Sequence, residues 1–162
     1  MQSHSIKSLL LTLSMQLMFT SSFSYAEQSF VDTKNGQPLK IDSDLFNTEQ
    51  SKKFLSTGTN PYNGNSEAIA SGKKSYQAYS CAQCHGAQAQ GQTAGGLTGS
   101  RYNHSKSSTD KGMFEIIWAG TNGGMSAKGK GVMDPSNHSN GLSPDEILKL
   151  MAWIRSQGAS AK

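Results

Sequence analysis

The chain is poor in cysteine, with only Cys81 and Cys84 among its 162 residues. Small exported proteins with thin cores are often stabilised by several disulfides, which need more thiols than this chain offers. If both cysteines serve one local site, none is left for a structural disulfide. The two thiols therefore direct attention to a single stretch of the sequence.

Long apolar runs are also missing. The longest, residues 9–19, is interrupted by polar residues and falls short of the ~20 residues that span a bilayer. It follows the basic Lys7 and precedes a small-x-small sequence ending at Ala26, the pattern of a cleaved secretory signal peptide. We predict a signal peptide at residues 1–26, export to the periplasm and no membrane span after cleavage. A retained membrane anchor is the alternative.

No basic run with interleaved aromatic residues occurs, and such runs are typical of nucleic-acid-binding proteins. The formal net charge is only +4, and it falls to about +3 when Lys7 leaves with the signal peptide. We therefore expect no nucleic-acid partner, and a modest positive charge that assists docking to an acidic protein. We also expect a monomer.

The informative stretch reads Cys81-Ala82-Gln83-Cys84-His85. Two thiols three positions apart, followed at once by an imidazole, form the attachment motif of a c-type haem. Cys81 and Cys84 would each add to one vinyl group of the porphyrin, and His85 would bind the iron from the proximal side. Hydrophobic residues make up only 35% of the chain, and a buried porphyrin would supply apolar surface that this thin core lacks.

Three other interpretations of the motif compete with haem. A zinc site needs about four ligands and would have to add two of His85, His104 and His138 to the thiols. A redox-active dithiol would be expected in a βαβ context, which the sequence does not show. A plain disulfide would leave His85 without a role.

The remaining pattern is helical. Residues 27–65 are polar and broken by glycine and proline, and they predict an extended arm with a short helix near residues 48–55. Helices are predicted at 66–79 with Ser66 as cap, at 109–119 with Thr109 as cap, and from Ser143 to about residue 158. Gly72 falls inside the first of these helices, where it suggests a close backbone contact with another helix.

Two long glycine-rich loops, residues 86–108 and 120–141, separate these helices. The first would wrap one edge of a haem, and the second is free to bring a thioether across its distal face. In the first loop, Arg101 and Tyr102 are the residues best able to hydrogen-bond a propionate. In the second, Met125 and Met133 lie outside any helical stripe and are the candidates for the distal iron ligand. We favour Met133, which lies beside Val132 and near Pro135 in a stiffened stretch. Met125 is the alternative, and His138 is a third possibility.

This order of elements resembles a class I c-type cytochrome, and four segments narrow the resemblance to cytochrome c-L. The segments are residues 81–86, 109–117, 120–125 and 142–155. The resemblance implies an all-α, class I cytochrome c fold, with three to five helices around one covalently bound haem c and an extended N-terminal arm. The resemblance covers roughly residues 54–158. The patterns described above divide the chain into a signal peptide (1–26), an N-terminal arm (27–65) and a cytochrome c domain (66–162). The resemblance also places Tyr76 and Trp153 at the contact between the first and last helices.

The cytochrome c-L family contains electron acceptors of quinoprotein methanol dehydrogenases, and the long methionine loop is more like the branch paired with lanthanide-dependent enzymes. The resemblance therefore implies a periplasmic one-electron carrier. It would accept electrons from a pyrroloquinoline quinone (PQQ) methanol or alcohol dehydrogenase and pass them to a downstream c-type cytochrome or oxidase. No catalytic constellation is recognisable, so we do not expect an enzyme. A haem enzyme or gas sensor with an open sixth coordination position is the alternative.

Overall fold

The structure is a computed structural model that describes residues 27–99 and 102–158. The predicted signal peptide and Arg101 lie outside the described residues. Within those two ranges, no helix is both long enough and apolar enough to cross a bilayer.

The described residues form five α-helices, as the sequence predicted for an all-α fold. They are α1 (Glu49–Thr57), α2 (Ser66–Ala78), α3 (Cys81–His85), α4 (Asp110–Ala119) and α5 (Pro144–Ser156). Short 3-10 turns at Ser43–Leu45 and Ser105–Ser108 complete the regular structure of these ranges. Backbone pairing between extended segments is limited there to two isolated bridges, Val31 with Pro38 and Gly129 with Leu142.

Helices α2 and α5 cross at Gly72. A Cβ atom added there would lie only 2.0 Å from the carbonyl oxygen of Lys149, so only glycine allows this approach. Next to the crossing, the rings of Tyr76 and Trp153 pack with their centroids 4.3 Å apart. The predicted close contact at Gly72 and the Tyr76–Trp153 contact are both confirmed.

The helix ends follow local side-chain chemistry. Thr109 caps α4 by accepting a hydrogen bond from the backbone N–H of Gly112, as predicted. Ser143 and Glu146 form the predicted reciprocal capping box at the start of α5. The predicted cap of α2 is wrong by one position: the side chain of Asn65, not Ser66, accepts the hydrogen bond from the Ala68 N–H, and Ser66 is the first helical residue.

The N-terminal arm packs on one side of α4 and includes the predicted short helix, α1. Its aromatic residues Phe30, Phe46 and Phe54 are buried and surround Phe114 of α4. After α1, the side-chain amide of Asn60 donates to the Leu148 carbonyl at 2.7 Å, which ties the chain to α5. The arm therefore contributes to the hydrophobic core.

Candidate cofactor site

A cavity of about 790 Å³ lies beside α3 and α4, a volume within the range of sites that hold large organic ligands. Its walls come from α3, from the loop before α4 and from the start of the loop after it. A smaller apolar cavity shares Cys81, His85 and Met125 with it and extends toward Leu150 and Ile154 of α5. The apolar side of this space is thus the core between α4 and α5.

Cys81 and Cys84 lie one helical turn apart on α3 and both line the large cavity. The turn begins after Ser80, which takes a left-handed conformation with φ of 59°. Cys81 is half-buried whereas Cys84 is exposed. Burial raises the pKa of the Cys81 thiol, and the nearby positive charge of Lys128 opposes that effect.

The imidazole of His85 is held in one orientation. Its Nδ1 lies 2.8 Å from the carbonyl oxygen of Gly95. Since a carbonyl oxygen only accepts, the proton resides on Nδ1, and the lone pair of Nε2 is left for a metal. The Gly91 N–H donates to the His85 carbonyl at 2.7 Å and the Ala94 N–H to the Cys84 carbonyl at 2.9 Å. The loop after the motif therefore folds back onto it and positions the histidine.

Tyr76 fixes the end of α3 from inside the core. Its hydroxyl donates to the carbonyl of Gly86 at 2.7 Å. Gly86 has φ of 81°, and a Cβ atom there would lie 2.6 Å from the side chain of Gln90. This glycine lets the chain turn sharply directly after His85.

The two candidate distal methionines lie in different places. Met125 lines both cavities, whereas Met133 lines neither. Backbone hydrogen bonds from Lys130 to Leu142, at 2.9 Å, and from Leu142 to Lys128, at 2.7 Å, close the loop before Met133 is reached. The preference for Met133 over Met125 is therefore not supported by their positions. His138 is exposed and does not line the large cavity either.

The wall of the large cavity also includes Tyr102 and His104. Tyr102, a predicted propionate partner, accepts a hydrogen bond at 2.7 Å from Arg155 through its hydroxyl. His104 was considered in the sequence only as a zinc ligand. No local pattern marks it as part of this wall, because its place depends on how the loop folds.

Among the described residues, two buried side-chain nitrogens have no hydrogen-bond partner within the protein, His104 Nδ1 and Trp118 Nε1. Only His104 lines the large cavity. Because buried polar atoms are nearly always paired, such an atom in a cavity wall indicates a ligand with a polar group at that point. A haem propionate fits, and the residues present therefore suit a haem.

The zinc interpretation gains no support from the structure. The part of the chain that the structure describes contains no group of three or more His, Cys, Asp and Glu side chains placed to hold a metal ion. His85 and His104 line one cavity, but His138 is not among its residues.

A one-turn Cys–His helix beside a large cavity, in an all-α fold whose two long helices cross at a glycine, is typical of a c-type cytochrome of class I. The cytochrome c family model matches residues 69–158. The chain belongs to this family and, within it, to cytochrome c-L, and it therefore carries a covalently bound haem c.

Cytochrome c-L proteins are similar to this chain both in sequence and in structure. Cytochrome c-L of Methylorubrum extorquens is 37% identical over 129 residues, which are 78% of this chain and 60% of that protein. The crystal structure of cytochrome cL from Hyphomicrobium denitrificans is 34% identical with a TM-score of 0.68, covering 80% of this chain and 73% of that one. Cytochrome cL from the marine methylotrophic bacterium Methylophaga aminisulfidivorans is also 34% identical, with a TM-score of 0.67 and coverages of 80% and 81%.

Proposed function

We propose that the protein is a periplasmic one-electron carrier whose haem c is bound through thioethers to Cys81 and Cys84 and through iron to His85. The observation that carries this proposal is the hydrogen bond from His85 Nδ1 to the Gly95 carbonyl, which leaves Nε2 to the cavity that the thiols line. When bound, the haem iron supplies the redox chemistry by cycling between ferric and ferrous states. The residues of the chain orient the group and limit its contact with water.

Met125 is the proposed distal ligand. Its position in the lining of both cavities supports this assignment over Met133. A thioether in the sixth position raises the reduction potential and leaves no coordination position for a substrate. This ligand set suits an electron carrier better than a haem enzyme or a gas sensor.

His104 is the proposed partner of a haem propionate. Its buried Nδ1 lacks a hydrogen-bond partner within the protein and lies in the cavity wall. A carboxylate there would accept a hydrogen bond from this nitrogen and remove the cost of leaving it unpaired. Tyr102 in the same wall is a second candidate for this role.

The proposed electron donor is the reduced PQQ of a methanol or alcohol dehydrogenase, and the acceptor is a downstream c-type cytochrome or oxidase. The similarity to cytochrome c-L proteins, one of them from a methylotrophic bacterium, supports this choice. Cys84, Gly123 and Gly124 are exposed at the cavity, so a partner can approach the haem edge there. The formal net charge of +4 falls to +3 when Lys7 leaves with the predicted signal peptide, and this positive balance favours an acidic partner surface.

Stopped-flow reduction of the mature holoprotein tests the partner. Reduced methanol dehydrogenases, of both the calcium and the lanthanide type, would be compared with an unrelated quinoprotein dehydrogenase. We expect at least about tenfold faster reduction by a methanol dehydrogenase, with the advantage shrinking as salt is added. Equal rates with all donors would rule out the specific partner, and reduction by ascorbate serves as the control for intact protein.

Two alanine variants test the distal ligand. Met125→Ala is expected to abolish the long-wavelength sulfur-to-iron charge-transfer band of the ferric protein, and to let the ferrous protein bind carbon monoxide. Met133→Ala is the matched control from the same loop and is expected to keep the band. Loss of the band in Met133→Ala alone would overturn the assignment, and a parent protein without the band would overturn methionine ligation.

A further inference from the structure

The start of the N-terminal arm is a small hairpin whose base is fixed to α4. Hydrogen bonds link Leu39 N–H to the Phe30 carbonyl at 2.9 Å and Asp32 N–H to the Gln37 carbonyl at 2.8 Å. Phe30 is 5% exposed and packs on Phe114 with ring centroids 5.0 Å apart. The base of the hairpin is therefore part of the core.

A second contact holds the same base to the same helix. The backbone N–H of Val31 donates to Glu115 Oε1 at 3.0 Å, and the Glu115 side chain is almost completely buried. Two residues further on, the chain turns at the tip of the hairpin. The tip of the hairpin therefore lies next to the C-terminal end of α4.

The tip contacts the loop that leads to Met125. The hydroxyl of Thr33 donates to the carbonyl of Gly120, the residue that ends α4. The side-chain amide of Asn122 donates to the Lys34 carbonyl at 2.8 Å. Thr33 also lines the large cavity, which places this contact at the edge of the proposed haem site.

Gly120 connects the hairpin tip to the proposed iron ligand. A Cβ atom added to Gly120 would lie 2.4 Å from the Met125 carbonyl oxygen, so the two backbones are in direct contact. The Thr121 N–H donates to that same Met125 carbonyl at 2.8 Å. A shift of Gly120 would therefore displace the backbone of Met125, because the two are in direct contact.

We propose that the tip of the arm positions Met125, with Thr33 as the main positioning residue and Asn122 as a weaker second contact. This inference rests on the proposed function, because it takes Met125 as the iron ligand. By holding Gly120 against the backbone of Met125, the arm keeps the thioether on the iron and restricts access of other ligands. The arm thereby contributes to the coordination chemistry although it supplies no iron ligand.

Cyanide binding to the ferric holoprotein measures how often the thioether leaves the iron. Thr33→Val keeps the shape of the side chain and removes the hydroxyl donor. The state in which the Met125 thioether has left the iron is the open state. Loss of the Thr33 hydrogen bond corresponds to about a fivefold larger population of this state, so cyanide should bind about fivefold faster. Adding Asn122→Ala to this variant should increase the rate of cyanide binding further. This second increase should be smaller than the first, because Asn122 is exposed. On heating, the charge-transfer band of Thr33→Val should also fade at a lower temperature than that of the parent protein. Its helical circular dichroism should be lost at the same temperature as that of the parent.

Two variants serve as controls. Thr33→Ser keeps the hydroxyl and should restore the parent rate, while Asn35→Ala removes a side chain that accepts only the Gln37 N–H within the hairpin. The inference is overturned if Thr33→Val binds cyanide at the parent rate, or if its band fades only as the helices unfold. A Met125→Ala protein that keeps the band would instead overturn the ligand assignment itself, so the two failures are distinguishable.

Discussion

At the scale of single residues, Gly72 tests how closely the two long helices approach. Three backbone atoms of Lys149 and Leu150 would lie within 3.0 Å of a Cβ atom at Gly72, so Gly72→Ala requires the helices to separate. Overpacking costs about 1–3 kcal/mol, and a clash with backbone belongs at the upper end of that range. Alanine returns about 1 kcal/mol of helix propensity, which leaves an expected net loss of about 2 kcal/mol.

Thermal or denaturant unfolding of the holoprotein measures this loss. Ser71→Ala is the matched control, since Ser71 is exposed on the same helix and its replacement should change stability little. A Gly72→Ala protein as stable as the parent would contradict the close approach of α2 and α5.

The sequence could point to site residues where the signal was local. Cys81, Cys84 and His85 were predicted from their spacing within one turn, and the structure brings all three to one cavity. Choosing between Met125 and Met133 depends on the backbone pairing of Gly129 with Leu142, which no local pattern reveals. His104 was missed as a cavity residue for the same reason.

At the scale of elements, Glu115 ties α4 to its neighbours. Its carboxylate accepts hydrogen bonds from Lys106 and Lys111, each at 2.7 Å, and from the Val31 N–H. Burial alone would raise the pKa of Glu115, but these hydrogen bonds and charges outweigh it and lower the pKa. The carboxylate therefore links the arm, the 3-10 turn before α4 and α4 itself.

A depressed pKa has a defined effect on stability. The contribution is fully present above the unfolded-state pKa, about 4.3 for glutamate, and is lost as the pH falls through the lower folded-state pKa. Glu115→Gln should lower the free energy of unfolding at pH 7 by about 2 kcal/mol. It should also flatten the loss of stability below about pH 4.3.

Denaturant unfolding of parent and variant across pH 3–7 checks this. Glu49→Gln is the control, because Glu49 is exposed and its ion pair with Lys52 is a surface pair that contributes little. Parallel pH profiles for the parent and Glu115→Gln would contradict a stabilising role for the buried carboxylate.

The elements themselves were predictable to the extent that their ends carry chemical signals. Helices α4 and α5 have strong caps at Thr109 and Ser143, and both were predicted with the correct first residue after the cap. Asn65 and Ser66 are both good caps, so the sequence alone could not decide between them. The arm was predicted as extended, but its packing on α4 depends on distant partners that periodicity does not show.

At the scale of the whole molecule, the cavity interrupts the hydrophobic core. Its volume is about 790 Å³, and the smaller apolar cavity beside it reaches Leu150 and Ile154 of α5. Apolar side chains that face this space gain stability only when apolar surface covers them. A bound haem would therefore complete the hydrophobic core.

We accordingly expect the chain without haem to lose its cooperative fold. A Cys81→Ser and Cys84→Ser double variant should show much less helical circular dichroism, no cooperative thermal transition, and a free energy of unfolding near zero, a loss on the order of 5–15 kcal/mol. Cys84→Ser alone is the control, since it keeps the half-buried Cys81 as the proposed site of one thioether. The haem-free double variant could instead keep the helix content and unfolding midpoint of the holoprotein. That result would show that the polypeptide forms its core without haem, and that the haem contributes nothing to its stability.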